Sequence, residues 1–213
     1  INVQWFDKLK TVNLGSNVTE EEVSRGSKPY GGKVVVIDPG HGGSEPGAIH
    51  GGTKEKNLNL DIALRLEKLL KNEGITVHMT RTNDSYVNLY SRSGLANDVN
   101  ADMLVSIHNN ADSYNTSGTM TLYYPGSAMK RNNLTSKDLA TIIQKEVSSY
   151  LGTRNIGIIS RSNLAVLRTS KVPAIIVEVG YMTNKDELKK LNTEEYRQKA
   201  AEGIRNGILK ALR

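Results

Sequence analysis

Apolar positions along the chain fall into two alternating patterns. Short apolar runs at Val34 to Asp38, Thr76 to Thr80, Met103 to His108, Thr119 to Tyr124 and Ala174 to Val179 predict strands, and Val166 to Arg168 a further short one. Between them apolar residues recur at helical spacing. Leu58, Ile62, Leu66 and Leu69 share one face that ends at Gly74, and Leu139, Ile143, Val147 and Leu151 form a stripe closed by Gly152. Leu89, Arg92, Leu95, Ala96 and Val99 predict a helix, and Tyr196, Ala200, Ile204 and Ile208 the last one. Strands alternating with helices imply an α/β fold, a mostly parallel twisted sheet flanked by helices on both faces in a single domain.

That pattern begins at Lys33. Residues 1–32 carry the only Trp and Phe (Trp5, Phe6), a helix-start signal at Thr19 with Glu22 three positions later, and then Ser27, Pro29, Gly31 and Gly32. They are expected to be a leader or linker, leaving 33–213 as the functional domain. The chain opens on Ile1 rather than Met, so a processed or trimmed product is expected and the compartment has to be argued from function.

Composition narrows the chemistry. A chain of 213 residues with 38% hydrophobic residues can bury one core, and it has no apolar stretch of the roughly 18 residues needed for a membrane span. The net charge of +6 favours an anionic partner without choosing among wall polymer, membrane surface and nucleic acid. The absence of cysteine removes disulfides, thiol nucleophiles and cysteine-built zinc sites, so any metal must be held by His, Asp and Glu.

In open α/β sheets ligands bind at the carboxyl ends of the strands. Three polar residues emerge there: His41 in Asp38-Pro39-Gly40-His41-Gly42-Gly43, His108 in Ser106-Ile107-His108-Asn109-Asn110, and Glu178 in Val177-Glu178-Val179-Gly180. A single strand-end histidine is more often structural than a ligand. Glu178 interrupts an apolar run, where an unpaired carboxylate is costly, so it needs a cation or a function. A divalent metal at His41 and His108 would supply the cation, with Glu45 and Glu55 in the intervening loop as further ligands. The glycines of that loop do not reproduce a phosphate-binding P-loop, because Gly51-Gly52-Thr53-Lys54 lacks its Gly-Lys-Ser/Thr ending.

From Lys33 to Leu212 the sequence resembles the zinc-dependent N-acetylmuramoyl-L-alanine amidases of the amidase 3 type, which cut bacterial peptidoglycan. The resemblance rests on Val36-Ile37-Asp38-Pro39-Gly40-His41-Gly42-Gly43, Glu55-Lys56-Asn57-Leu58-Asn59-Leu60, Thr80-Arg81, Ala101-Asp102 with Ser106-Ile107-His108-Asn109-Asn110-Ala111, and Val177-Glu178-Val179-Gly180-Tyr181-Met182-Thr183-Asn184. It implies that His41, Glu55 and His108 bind zinc and that Glu178 is the catalytic acid/base. Glu45, Tyr181-Met182 and Asn109 depart from the common family residues without removing a required group. The stretch from Asp112 to Thr135, including Asn115, is too short for the helical insert that blocks the site in some relatives, so an open site is expected.

Asn110 and Arg81 are further candidates for substrate contact, and Arg92 for either substrate contact or an ion pair. His50 is expected to be an exposed loop residue and His78 a structural one. The resemblance implies a secreted, monomeric wall hydrolase whose partner is peptidoglycan, not nucleic acid. Two rivals stand beside this reading. A carboxypeptidase-like zinc hydrolase of the stem peptide typically carries an HxxE pair, which the wide His41 to Glu55 spacing does not supply. A wall-binding module that has lost catalysis is expected to lack one of His41, Glu55, His108 or Glu178, and all four are present.

Overall fold

The structure, a computed structural model, describes residues 28–112, 116–126 and 132–213. The signals at Trp5, Phe6, Thr19, Glu22, Ser27 and Asn115 lie outside the described residues. Among the described residues eight strands form: β1 (Val34–Pro39), β2 (Ile49–His50), β3 (Thr53–Lys54), β4 (Thr76–Met79), β5 (Met103–Asn110), β6 (Thr119–Tyr123), β7 (Asn155–Ser160) and β8 (Ala174–Tyr181). Six of them build one sheet in the order β4-β1-β5-β8-β6-β7, while β2 and β3 pair as a small hairpin. Strands β4, β1, β5 and β8 are mutually parallel, so their carboxyl ends share one edge. Strand β6 runs antiparallel to β8, with β7 parallel to β6. The short 111–118 connection between β5 and β6 has no room for the crossover that a parallel arrangement would need, so β6 starts at the edge where β5 ends.

Helices cover both faces of the expected mostly parallel sheet. On one face lie α1 (Glu55–Asn72), α3 (Ser136–Leu151) and, after the short α5 (Lys185–Leu191), α6 (Glu194–Ala211). They bury Leu58, Ile62, Leu66, Leu70, Leu139, Ile143, Val147, Ala200, Ile204 and Ile208 against Val35, Ile37, Val105, Ile107, Ile175 and Val177. Leu70 is fully buried in α1, with the expected Leu69 only partly buried and packed against the core. Helix α3 opens on a Thr135–Asp138 capping box and closes on Gly152 in the left-handed conformation, as its end signals require. The other face carries α2 (Leu89–Asp98) and α4 (Ala165–Arg168) over Val36, Leu104, Leu122 and Ile176. Tyr30 joins the first core, so residues just before Lys33 already pack on the body.

The short strand expected at Val166 to Arg168 is instead the single helical turn α4, with Arg168 N–H bonded to Leu164 and Thr169 N–H to Ala165. Its physical reason is burial: β5 and β6 occupy both sides of the following strand β8, and a helical turn lets Val166 and Leu167 enter the second core together. Val166 and Leu167 therefore bury side chains from a turn laid on α2's face of the sheet.

The sheet edge is braced from inside by one carboxylate. Asp38, 1% exposed, accepts hydrogen bonds from Thr80 Oγ1 (2.6 Å), Ser106 Oγ (2.6 Å) and Arg92 Nη1 (2.8 Å). It thereby joins the segment after β4, strand β5 and helix α2 to the end of β1. Arg92 continues into the turn that follows, donating to Pro39 O at 3.0 Å and His41 O at 3.1 Å. Arg92 thus takes the ion-pair alternative. Removing one partner of a buried pair leaves the other charge uncompensated, which costs about 3–5 kcal/mol. Arg92→Met is expected to lose that much in equilibrium urea unfolding, and a loss below about 1 kcal/mol, the scale of a surface pair, would show that the brace is not stabilising.

Candidate metal centre

His41, Glu55 and His108 converge at the carboxyl edge, each offering a ligand atom within 4.8 Å of the others. His41 follows β1 in a turn that holds it at φ 59°, an uncommon conformation for a non-glycine residue. His108 lies on β5, and Glu55 is the first residue of α1, where the helix N-terminus favours a negative charge. Glu55 Oε2 lies 3.1 Å from His41 Nε2, and Glu55 Oε1 lies 2.9 Å from His108 Nδ1. The two rings meet edge-on with centroids 4.9 Å apart.

A second set of donors fixes that carboxylate. Ala48 N–H donates to Oε2 at 3.0 Å, while Asn109 N–H and Asn59 Nδ2 each donate to Oε1 at 3.2 Å. Asn59 also donates to Gly40 O and accepts from Asn109 Nδ2 at 2.8 Å, so both asparagines support the cluster from behind. Burial pushes the Glu55 carboxyl upward, but hydrogen bonds to His108 and His41 outweigh it and hold the group well below the usual carboxylate range. Burial likewise opposes charge on His108, yet Glu55 raises its pKa, with Glu178 and Asp38 adding to the rise.

Two glycines make the close approach possible. A Cβ on Gly40 would stand 2.2 Å from the His108 ring, and one on Gly47 would stand 2.5 Å from Glu55 Oε2 and 2.7 Å from the His41 ring. The glycine-rich loop therefore yields space to the ligand side chains themselves.

Glu178 sits beside His108 in the register of β5 and β8 but outside the cluster of three. Its Oε2 is buried without a hydrogen-bond partner. Burial pushes its pKa up to about 7, with His108 pulling it back and Glu55 adding to the rise. A carboxyl so poised can accept and return a proton near neutral pH.

The remaining candidates separate. Arg81, expected at the substrate, is 4% exposed and faces inward: Nε donates to Pro39 O, Nη1 to Asn83 O, and Nη2 to both Gly40 O and Lys56 O, all at 2.9–3.0 Å. With four of its five N–H donors engaged by backbone carbonyls, it braces the His41 turn. Asn110 is partly exposed at the end of β5, where its carbonyl accepts Met182 N–H at 2.7 Å. Glu45 pairs its backbone with Gly42 and contributes no ligand to the cluster. His50 and His78 lie on β2 and β4, away from the trio of ligands.

Sequence reasoning missed Glu187. It is buried on α5, where its carboxylate accepts Gly118 N–H at 2.8 Å and Tyr181 N–H at 2.7 Å, tying the start of β6 to the end of the strand that bears Glu178. Its only sequence signal is its place three residues after the helix cap Asn184, which is also the ordinary signature of a helix start.

Comparison with known proteins agrees with this geometry. The family model described as N-acetylmuramoyl-L-alanine amidase (Amidase_3) matches residues 35–210. The chain is 38% identical over 186 residues to the N-acetylmuramoyl-L-alanine amidase LytC of Bacillus subtilis, covering 87% of this chain but only 36% of LytC. Among solved structures, an N-acetylmuramoyl-L-alanine amidase from Clostridium difficile 630 superposes with a TM-score of 0.78 at 40% identity, covering 84% of this chain and 96% of that one. The catalytic domain of CwlV from Bacillus (Paenibacillus) polymyxa gives 0.78 at 35% identity, covering 84% and 98%. The fold, the matched span and these relatives together establish that the chain belongs to the amidase 3 family of N-acetylmuramoyl-L-alanine amidases.

Proposed function

We propose that the chain cleaves the bond between the lactyl group of N-acetylmuramic acid and L-alanine of the peptidoglycan stem, using zinc held by His41, Glu55 and His108 and Glu178 as the acid/base. The observation that carries the proposal is the arrangement of one buried carboxylate between two imidazoles, with a second carboxylate of raised pKa beside them. Two nitrogen donors and one oxygen donor suit zinc, and three protein ligands are the number found in catalytic rather than structural sites. Zinc bound there would polarise the amide carbonyl and acidify a water.

The chain's own residues do the rest. Glu178 takes a proton from the attacking water at its carboxylate and returns it to the departing nitrogen, so that L-alanine leaves as a free amine. Asn59 and Asn109 keep Glu55 oriented, and Arg81 and Arg92 hold the turn that presents His41. Asn110 is assigned to substrate contact, a reading supported by its partial exposure at the end of β5. The net charge of +6 suits work in an anionic cell wall, which implies an extracellular protein, with 33–213 as the catalytic unit and 1–32 as a leader or linker.

Two experiments test this. Purified peptidoglycan digested by the protein should yield new L-alanine amino termini, lost on chelation and restored by zinc. A released D-amino acid with no such terminus would move the cut into the stem peptide. The second experiment separates the carboxylates. Glu55→Gln should lose zinc on dialysis, whereas Glu178→Gln should retain it, bind muropeptide with unchanged Kd and slow kcat by about 100- to 10,000-fold. The reverse metal contents would exchange their roles.

A further inference from the structure

Among the described residues six large hydrophobic side chains are exposed: Ile49, Leu64, Tyr86, Leu89, Tyr90 and Tyr150. Three of them, Tyr86 (49%), Leu89 (50%) and Tyr90 (59%), fall within five consecutive positions, in the segment between β4 and α2 and the first turn of α2. That segment is fastened to the turn bearing His41. Gly43 N–H donates to Asp84 Oδ1 at 2.8 Å, and Lys56 Nζ bridges Asp84 Oδ2 (2.6 Å) and Gly43 O (2.8 Å). Arg81 reaches Asn83 O, and Arg92 reaches Val87 O on one side and His41 O on the other. The fit is close enough that a Cβ on Gly43 would stand 2.6 Å from the Tyr86 nitrogen. The aromatic segment is thus rigidly placed beside the ligands, as a binding surface needs to be if little ordering is to be lost on association.

Sheet order says which part of the substrate this surface faces. Because β4, β1, β5 and β8 are parallel neighbours in that sequence, the carboxyl edge presents the Tyr86–Tyr90 segment, then His41, then His108, then Glu178. On the proposed role of Glu178, the departing L-alanine nitrogen lies toward β8. The acyl side of the scissile bond, which is the muramic acid and its glycan strand, then lies on the opposite side, toward β4. We infer that Tyr86 and Tyr90, flanked by Leu89, form a platform on which the glycan strand stacks, and that they set the preference for polymeric over single-sugar substrate.

The local chemistry suits a sugar better than a peptide. Tyrosine offers a broad apolar ring with a hydroxyl at its tip, matching a pyranose that has an apolar face and a polar rim. The stem peptide carries free carboxylates, which would call for an unpaired cation here. The neighbouring cations are spoken for, Lys56 by Asp84 and Gly43, and Arg81 and Arg92 by the backbone they brace.

The test uses peptide-free glycan strands of about four sugars, the product side of the reaction, titrated into the intact protein by calorimetry. Tyr86→Ala and Tyr90→Ala should each weaken binding about fivefold or more, while Tyr86→Phe and Tyr90→Phe keep most of it. Tyr150→Ala, an exposed tyrosine on α3, should bind like the wild type. In kinetics the two Ala variants should raise KM for glycan-linked substrate by the same factor with kcat little changed, and leave KM for a single-sugar muramoyl-peptide unaltered. Wild-type protein that does not bind the strands, Ala variants that bind them normally, or an equal rise in KM for both substrates would overturn the platform. A failure of the underlying reaction assignment would appear separately, as wild-type protein that releases no L-alanine amino termini.

Discussion

The whole carboxyl edge of the sheet is organised around the buried carboxylate of Glu55. Two imidazole nitrogens, two backbone amides and one side-chain amide all point at its two oxygens, and they come from the turn after β1, the loop before β2, helix α1 and strand β5. Burial alone would drive this carboxyl toward its neutral form. The ring of donors reverses that tendency and keeps it charged. A carboxylate held charged in this way between two histidines is a strong attractor for a divalent cation, and it can exist only because the surrounding backbone has been drawn in close, with glycine at positions 40 and 47 where a side chain would collide with the ligands.

Behind this centre a second buried charge does different work. Asp38 and Arg92 form a pair with exposures of 1% and 3%, and the Arg92 and Arg81 guanidinium groups donate to the carbonyls of Pro39, Gly40 and His41. A turn with three consecutive carbonyls facing inward would otherwise leave buried acceptors unpaired, each at a cost of about 1–3 kcal/mol. The guanidinium groups meet that need and fix the His41 backbone at the same time. Asp38, Arg81 and Arg92 thus hold the frame on which the cluster of His41, Glu55 and His108 is set. Glu187 plays the equivalent framing part on the far side, anchoring the end of β8 and the start of β6 through two backbone amides.

The alternation of apolar runs and helical stripes was enough to read the α/β sheet, because strands such as Ala174–Tyr181 are buried on both faces and carry almost no polar residue. The same feature made Glu178 stand out. Strand β7 carries no clear sequence signal, because its residues are only partly buried at an edge and a glycine interrupts them. Val166 to Arg168 looked like a strand since three residues carry no period, and only the burial of Val166 and Leu167 in the second core decides the matter. Arg81 shows a different limit. A cation after a strand reads the same whether it turns outward to a ligand or inward to carbonyls, and the answer depends on a turn more than forty residues away in sequence. Asn59 was legible in principle, as an amide on the apolar face of α1 one turn after Glu55, and it is fully buried against that carboxylate.

In the proposed centre Glu55 joins His41 and His108 as a ligand while Glu178 stands apart, an arrangement that anomalous diffraction at the zinc edge from crystals of zinc-loaded protein would reveal. One peak per chain is expected, bounded by the two histidines and Glu55, at roughly 2.0–2.2 Å from each ligand atom, with the Glu178 carboxylate outside bonding distance. A peak ligated by Glu178 in place of Glu55, or one lying away from the two histidines, would contradict this arrangement.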